Sequence, residues 1–377
     1  MRSGSSRVSR FASRPWRERS SSSQRLTFFR IAIACLSMNR RGLLAAGNWV
    51  VDRIKIVNRW PEQDTLALVQ SEARGTGGGP CNLLNGLARL RAPFPLEALG
   101  LLGEDEDGRR MIEECRQHGI QTRFLRTTPA RSTSYTEVIT VADTGRRTFF
   151  HHHGANALLG AEHFDPSATS ARILYLGYLS LLQSLDLPDA EFGTVAARML
   201  ARYREAGFKT AVDAVSEISD RFRSCVLPAL KQTDYCILNE LEAGCVAGVA
   251  AREGERLNVE AVRRAGQKLL EHGVREWAVI HFPEGAYAVS RSGEECLEGS
   301  FLLPPGYIQS TVGAGDAFCG GVLFGLHEGW TMSECLKLAF CHAAACLTHS
   351  TTTGGLRPLK ETLQLAERFS RRTLGAA

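Results

Sequence analysis

An α/β fold with a mainly parallel central sheet, helices on both faces and a small β-lid is what this sequence predicts, on three observations. From Ile173 onward, short apolar runs alternate with segments of helical spacing, the pattern of a doubly wound sheet. Between Arg131 and His152 two β-rich runs flank the turn Ala142-Asp143-Thr144-Gly145, so a hairpin stands apart from that alternation. Glycine clusters at Gly75–Gly79 and Gly313–Gly315 each precede a helical segment, where backbone N–H groups stay accessible.

Composition narrows the class of molecule. A chain of 377 residues, 44% hydrophobic and 23% charged, suits one large domain with an accessory piece. No run reaches the roughly 18 uninterrupted apolar residues of a membrane helix. The net charge of +5 would suggest nucleic acid if it were spread over the fold, but residues 1–40 hold nine Arg against Glu18. That segment carries +8, and taking it from +5 leaves −3 for residues 41–377. Residues 1–40 are therefore read as a basic Ser/Arg-rich, disordered extension and 41–377 as the folded domain. Three readings of the extension stand: an upstream reading-frame extension with Met38 as the natural start, a disordered arm, or a transit-like peptide. Eleven Cys without a C-x-x-C pair argue against a disulfide framework and a zinc site, and point to a reducing cytoplasm.

Along the chain, Leu43–Ala46 reads as a core strand, and Gly47-Asn48 as a turn into a second strand through Val51, Ile54 and Ile56. Cys81–Leu90 has helical spacing, Leu99–Gly103 is a strand, and Asp107–His118 is a helix stopped by Gly119. Then follow strands at Ile173–Leu176, Thr210–Asp213, Tyr235–Leu238 and Trp277–His281. Helices are expected near Ala190–Glu205, Val259–Glu271 and Leu336–Leu347. On such sheets ligands sit at the carboxyl ends of the strands.

The densest chemistry lies in Ser310-Thr311-Val312-Gly313-Ala314-Gly315-Asp316-Ala317-Phe318. A small-residue turn opens an apolar helix, so the amides of Gly313, Ala314 and Gly315 can face an anion with the helix dipole behind them. Asp316 at the helix head can take the proton of a hydroxyl that attacks a phosphoryl group there. Taken alone, the same segment is also a plain capped helix with a packing turn.

Further segments in chain order resemble the ribokinase-like (PfkB) carbohydrate and nucleoside kinases. The Ser310–Phe318 stretch resembles that family's C-terminal signature. Gly47–Asp52 is similar to its N-terminal strand, and Gly77-Gly78-Gly79-Pro80-Cys81-Asn82 to its glycine turn. Leu101–Gly108, Gly154-Ala155-Asn156 and Asn239-Glu240-Leu241-Glu242 match its remaining motifs. The resemblance spans about residues 42–370 and implies a three-layer ribokinase-like fold with a lid from segments near 53–75 and 131–152.

It implies ATP-dependent phosphorylation of a sugar hydroxyl, with ATP and Mg2+. Asp316 would be the base, and Gly313, Ala314 and Gly315 the anion hole. Asp52, Gly78, Gly79 and Asn82 would hold the acceptor. Asn239 and Glu242 would organise Mg2+ through water, and Thr311 and Gly285 would border the nucleotide. Helix 336–347 and the turn Ser350–Gly355 would wall the adenine.

Departures from the pattern bear on specificity. Val50 and Gly79 stand where members often have Asn and Lys, which argues against a plain ribokinase. Ser310 replaces an Asp used for a monovalent cation, leaving that dependence open, and His281-Phe282-Pro283 precede Gly285 where Thr-Gly is usual. Arg146 and Arg147 would suit an acidic substrate or a solvated hairpin, and His151–His153 alternate sides along a strand, a poor metal site. A nucleoside acceptor, favoured by a stacking Tyr135 or Phe149, and a non-catalytic metabolite-binding homologue remain as alternatives. The glycines at 75–79 lack the dinucleotide spacing G-x-G-x-x-G. Exposed lid edges admit a homodimer.

Overall fold

The computed structural model describes residues 40–215 and 221–374. Its first half contains β1 (Leu43–Gly47), β2 (Val50–Val57), β3 (Val69–Gly77), α1 (Gly79–Arg89), β4 (Leu96–Gly103), α2 (Glu106–Gln117), β5 (Gln121–Thr128), β6 (Tyr135–Val141) and β7 (Arg147–His152). The second half adds β8 (Ile173–Leu179), α3 (Val195–Glu205), β9 (Lys209–Ala214), α4 (Arg221–Leu230), β10 (Tyr235–Asn239), α5 (Glu240–Ala247) and α6 (Val259–Glu271). It closes with β11 (Trp277–Phe282), β12 (Gly285–Ser290), β13 (Glu295–Gly299), α7 (Ala314–Glu328) and α8 (Met332–Cys346). This is a ribokinase-like α/β fold.

The large sheet has nine strands in the order β13-β12-β11-β10-β9-β8-β1-β4-β5. Pairing is parallel from β11 to β5, and β12 and β13 add an antiparallel edge. Both faces of this sheet are covered, which explains why β1, β4 and β8 read as near-continuous apolar runs. Alternate residues of β1 enter opposite layers. Leu43 and Ala45 pack with α1, α7 and α8, while Leu44 and Ala46 pack with α3 to α6.

A second sheet, ordered β3-β2-β6-β7, forms the lid and extends the expected segments to Val50 and Gly77. Its pleat sorts the residues onto two faces. Arg53, Lys55 and Glu137 are ion-paired on one face, with the Arg53 guanidinium over Tyr135. Asp52, Thr136 and His151 are in register on the other.

Several local expectations shift. The helix expected from Ala190 begins at Val195, because the Thr194 hydroxyl caps it at Ala197 and residues 188–194 fold into a two-residue ladder instead. The strand β5, the antiparallel β12–β13 and the helix α4 had no counterpart in the sequence reading; α4 carries Pro228 within it. Arg40, grouped by charge with the basic extension, belongs to the folded body, donating to the Thr169 carbonyl at 3.0 Å and the Ala206 carbonyl at 2.9 Å. The rest of the extension lies outside the described residues. Among those residues no helix is long and apolar enough to cross a membrane.

Asp105 ties the large sheet to the lid's entry. Its carboxylate accepts from the Gly108 N–H at 2.9 Å, capping α2, and from the Thr133 N–H and hydroxyl at 2.7 and 2.6 Å. Burial raises its pKa, but the bonds from Thr133 and Gly108 and the nearby Arg109 outweigh this and hold it below the usual range. The Asp105→Ala variant is expected to lose about 1–2 kcal/mol of stability in denaturant titration at pH 7. A depressed folded-state pKa gives stability that is present above about pH 4 and lost as pH falls, so the wild-type advantage should shrink toward pH 3.

Candidate active site

The end of β11, the turn before α7 and the helix α8 enclose a cavity of about 460 Å3. Its apolar walls include Phe301, Phe318, Phe340, Ala343, Ala344 and Leu347, and Asn239, His281, Ser300, Thr311 and Arg372 supply polar groups. A volume and lining of this kind suit a flat, drug-sized ligand such as a nucleotide base with its sugar. Of the residues expected around the nucleotide, Asn239, Gly285, Thr311, Ala314 and Gly315 line the cavity. Burial in the wall pushes the His281 pKa down to about 4, so the imidazole there is neutral. The turn Ser350–Gly355 does not line it. Thr352 packs instead behind the anion turn, where a Cβ on Gly313 would approach within 2.9 Å of the threonine Cβ.

Gly313 takes φ 80°, the left-handed conformation that lets the chain reverse into α7 while leaving its first amides uncapped by a side chain. Asp316 follows in the first turn and is buried. Its two carboxylate oxygens are held from opposite sides: the Tyr178 hydroxyl donates to Oδ1 at 2.7 Å, and the Asn82 amide donates to Oδ2 at 2.8 Å. Burial raises the Asp316 pKa to about 6, and these two bonds limit the rise. The group is therefore mostly ionised at neutral pH yet basic enough to take a proton.

The acceptor-side residues come from the other edge of this junction. Gly78 adopts φ 88° at the entry of α1, with its Cα so close to the Asn48 carbonyl that a Cβ would lie 2.1 Å from it. Gly79 begins α1 against Tyr175 and Tyr178, and Asn82 sits one turn on. Asn82 Oδ1 is buried without a partner. Asp52 hangs from the lid, its pKa pushed up to about 7 by burial and by the charge of Asp316. Of the four residues expected at the acceptor, Asn82 bonds Asp316 and Asp52 feels its charge, while Gly78 and Gly79 pack beside Asn48 and Tyr178.

Two residues at carboxyl ends of strands escaped the sequence reading. Tyr178 lies at the end of β8, and Asp213 near the end of β9, where its carboxyl is driven well above the normal range by burial and by facing Glu242 and Asp316. The general rule that ligands gather at strand ends was the available signal. Arg147, read from the sequence as suited to an acidic substrate or a solvated hairpin, instead reaches across from β7 and donates to the Thr311 hydroxyl beside the anion turn. Its neighbour Arg146 is exposed.

Asn239 and Glu242 form a reciprocal cap on α5. Asn239 Oδ1 accepts from the Leu241 and Glu242 amides at 2.9 Å, and Glu242 Oε2 accepts from the Asn239 N–H at 3.0 Å. Asn239 faces the cavity, whereas Glu242 is buried behind it toward Asp213. Among the described residues no three His, Cys, Asp or Glu stand close enough to hold a metal by themselves. The oxygen donors nevertheless fit Mg2+, which binds through one or two carboxylates, waters and substrate phosphates. A cation placed near Asp213 would favour the ionised form that burial, Glu242 and Asp316 now oppose. Ser310 Oγ accepts from the Val312 amide at 3.2 Å. Tyr135, a candidate for stacking a nucleobase, faces away from the cleft beneath Arg53, while Phe149 stays on the inner side of the lid and exposed.

Comparison with known proteins agrees with this fold. An uncharacterized sugar kinase of Archaeoglobus fulgidus is 25% identical over 272 residues, 72% of this chain and 98% of the relative. An ATP-dependent ribose-1-phosphate kinase of Halopiger xanaduensis is 25% identical over 304 residues, 81% of this chain and 90% of that protein. The structure of Arabidopsis thaliana ribokinase complexed with ribose and ATP superposes with a TM-score of 0.69 at 20% identity, covering 86% of this chain and 98% of that one. The model of the pfkB family carbohydrate kinases matches residues 41–358, and this chain belongs to that family.

Proposed function

We propose that the protein transfers the γ-phosphoryl group of ATP to a hydroxyl of a sugar or sugar-like acceptor, with Asp316 as general base. The observation that carries this reading is the place of Asp316: buried directly after Gly315, which lines the nucleotide-sized cavity, mostly ionised at neutral pH, and touching an acceptor-side residue, Asn82. The base of ATP would lie between the Phe301, Phe318 and Phe340 walls, its phosphates toward the Gly313–Gly315 amides. Mg2+, when bound near Asn239 and Glu242, neutralises phosphate charge.

In the transfer, the acceptor oxygen forms a bond to the γ-phosphorus as the bond to the ADP oxygen breaks. The hydroxyl proton passes to Asp316, and the helix-head amides meet the negative charge that gathers on the phosphoryl oxygens. Asp52 and Asn82 orient the acceptor, and the lid keeps water from competing. Tyr178 holds the unreactive orientation of the carboxylate out of reach by tying Oδ1. A nucleoside acceptor retains one point of support in Phe149 on the inner face of the lid. The ten described cysteines are all free thiols, which fits a reducing compartment such as the cytoplasm.

ATP consumption over sugars, sugar acids and nucleosides with Mg2+ should reveal turnover on one acceptor, lowered roughly 10²–10⁴-fold by Asp316→Asn. Unchanged activity in that variant would refute the assignment. Because the base must be ionised, kcat/KM should fall as pH drops from about 7 through 6, tenfold per unit at the acid limb. A flat profile across that range would exclude Asp316 as the base.

Arg147 carries a second expectation. A guanidinium on the Thr311 hydroxyl stands where a γ-phosphate would arrive, so Arg147→Met should lower kcat by about 10²-fold. The exposed Arg146→Met should stay near wild type; equal effects of both would show a general loss of lid charge instead.

The lid also exposes Trp60, Leu66, Leu68, Val69 and Phe150, with Trp60 stacked on Phe150 at 6.3 Å between ring centroids. These residues support a homodimer formed through the lid. Sedimentation equilibrium should give a dimer that Trp60→Asp with Leu68→Asp converts to a monomer; a wild-type monomer at micromolar concentration would remove the proposal.

A further inference from the structure

The row of lid residues that begins at Asp52, across from Asp316, continues over the lid. Asp52 on β2 is directly opposite Thr136 on β6, and Thr136 is opposite His151 on β7. Residues in register share one face of a sheet, so all three side chains project toward the cleft. Two strand spacings separate the ends of this row, roughly 10 Å. With an Asp and a His side chain turned inward, the gap between their polar tips is the length of a monosaccharide.

His151 is fixed for such a role. Its Nδ1 is 2.9 Å from the Thr136 hydroxyl, which sets the ring's orientation, and the His153 ring packs edge-on at 5.0 Å. The other ring nitrogen, Nε2, is buried without a hydrogen-bond partner. Burial and the neighbouring His153 and His152 hold the His151 pKa down to about 4, so the ring is neutral. A buried polar atom left unpaired carries a desolvation cost that a ligand hydroxyl would remove. Asn82 Oδ1 is in the same condition at the opposite wall. The polar groups meeting the acceptor are thus two carboxyls, an amide and a neutral imidazole, while Arg147 on the same face of β7 is engaged at Thr311.

Resting on the kinase reading above, we infer that His151 reads the acceptor: its Nε2 hydrogen-bonds a hydroxyl of an uncharged, monosaccharide-sized sugar or polyol at the end remote from Asp52. A sugar acid would bring its negative charge to Asp52 and Asp316 and is disfavoured.

Steady-state kinetics of wild type, His151→Leu and His151→Gln would be measured with D-ribose, D-fructose, D-gluconate and adenosine, then with monodeoxy forms of the sugar turned over. Expected are turnover of a neutral sugar and, in His151→Leu, a sugar KM raised at least about tenfold with kcat and the ATP KM within about twofold. His151→Gln should recover most of the loss. One monodeoxy sugar should lose about tenfold with wild type and nothing further with His151→Leu. A merely structural role in the lid would move the ATP KM as well and penalise every monodeoxy form alike. An unchanged sugar KM in His151→Leu, or D-gluconate as the sole acceptor, would overturn the inference and leave the kinase reading intact. Turnover of none of the four would sink the kinase reading instead. Calorimetry with the same ligands then decides for His151: neutral-sugar binding abolished in His151→Leu upholds the inference, and binding unaffected or absent overturns it.

Discussion

A carboxylate buried at the head of a helix is costly, and the arrangement of this protein follows from how that cost is met. Asp316 could not remain ionised in an apolar site without help, because burial drives a carboxyl toward its neutral form. Tyr178 and Asn82 supply the help by donating one hydrogen bond to each oxygen. They come from β8 and α1, so a single side chain joins the central sheet, the helix after the glycine turn and α7. The glycines at 78 and 313 are needed because those three backbones must approach closely enough for the bonds to form. A compromise pKa near 6 results: high enough to accept a proton, low enough to be free of one at neutral pH.

Around this carboxylate the charges are graded. Asp52 and Asp213 both feel Asp316, and both are pushed toward protonation. Behind Asp213 lies Glu242, whose own carboxylate is spent on capping Asn239. The cap has a double effect. It fixes Asn239 at the mouth of the nucleotide cavity, and it holds a carboxyl group close to where a cation and phosphates would meet. A helix-capping role and a role in metal organisation are therefore compatible for the same pair, since a buried glutamate held rigidly by an amide gives a precise field.

Much of this was legible from residue patterns because parallel strands buried on both faces leave uninterrupted apolar runs, and because left-handed turns demand glycine. The segments Leu43–Ala46 and Ser310–Phe318 announce themselves for those reasons. What stayed hidden depends on distance in sequence. Tyr178 is an ordinary aromatic after an apolar strand until folding brings it 2.7 Å from a residue 138 positions away. Asp213 ends a strand like any other acid. The edge strands β5 and β13 are only partly buried and lack the strong core signature, β12 is buried throughout but short and rich in small residues, and α4 is masked by Pro228. The misplaced start at Ala190 shows the opposite error: helix formers there were overruled by Thr194, which offers a cap four residues on.

The lid is where specificity and chemistry are coupled. Its inner face presents Arg147 to the anion turn and, four residues along the same strand, His151 to the acceptor end of the cleft. Period-two alternation places both on one surface, so neither can shift without moving the other. A closed lid thus satisfies a cation at the phosphate end and a polar atom at the sugar end together. Without the acceptor, Nε2 of His151 stays desolvated and unpaired, and without a phosphate the Arg147 guanidinium has only the Thr311 hydroxyl, so closure is less favourable with either ligand alone. Such an arrangement makes the full closed state depend on both ligands, which is the condition under which transfer to the acceptor outruns transfer to water.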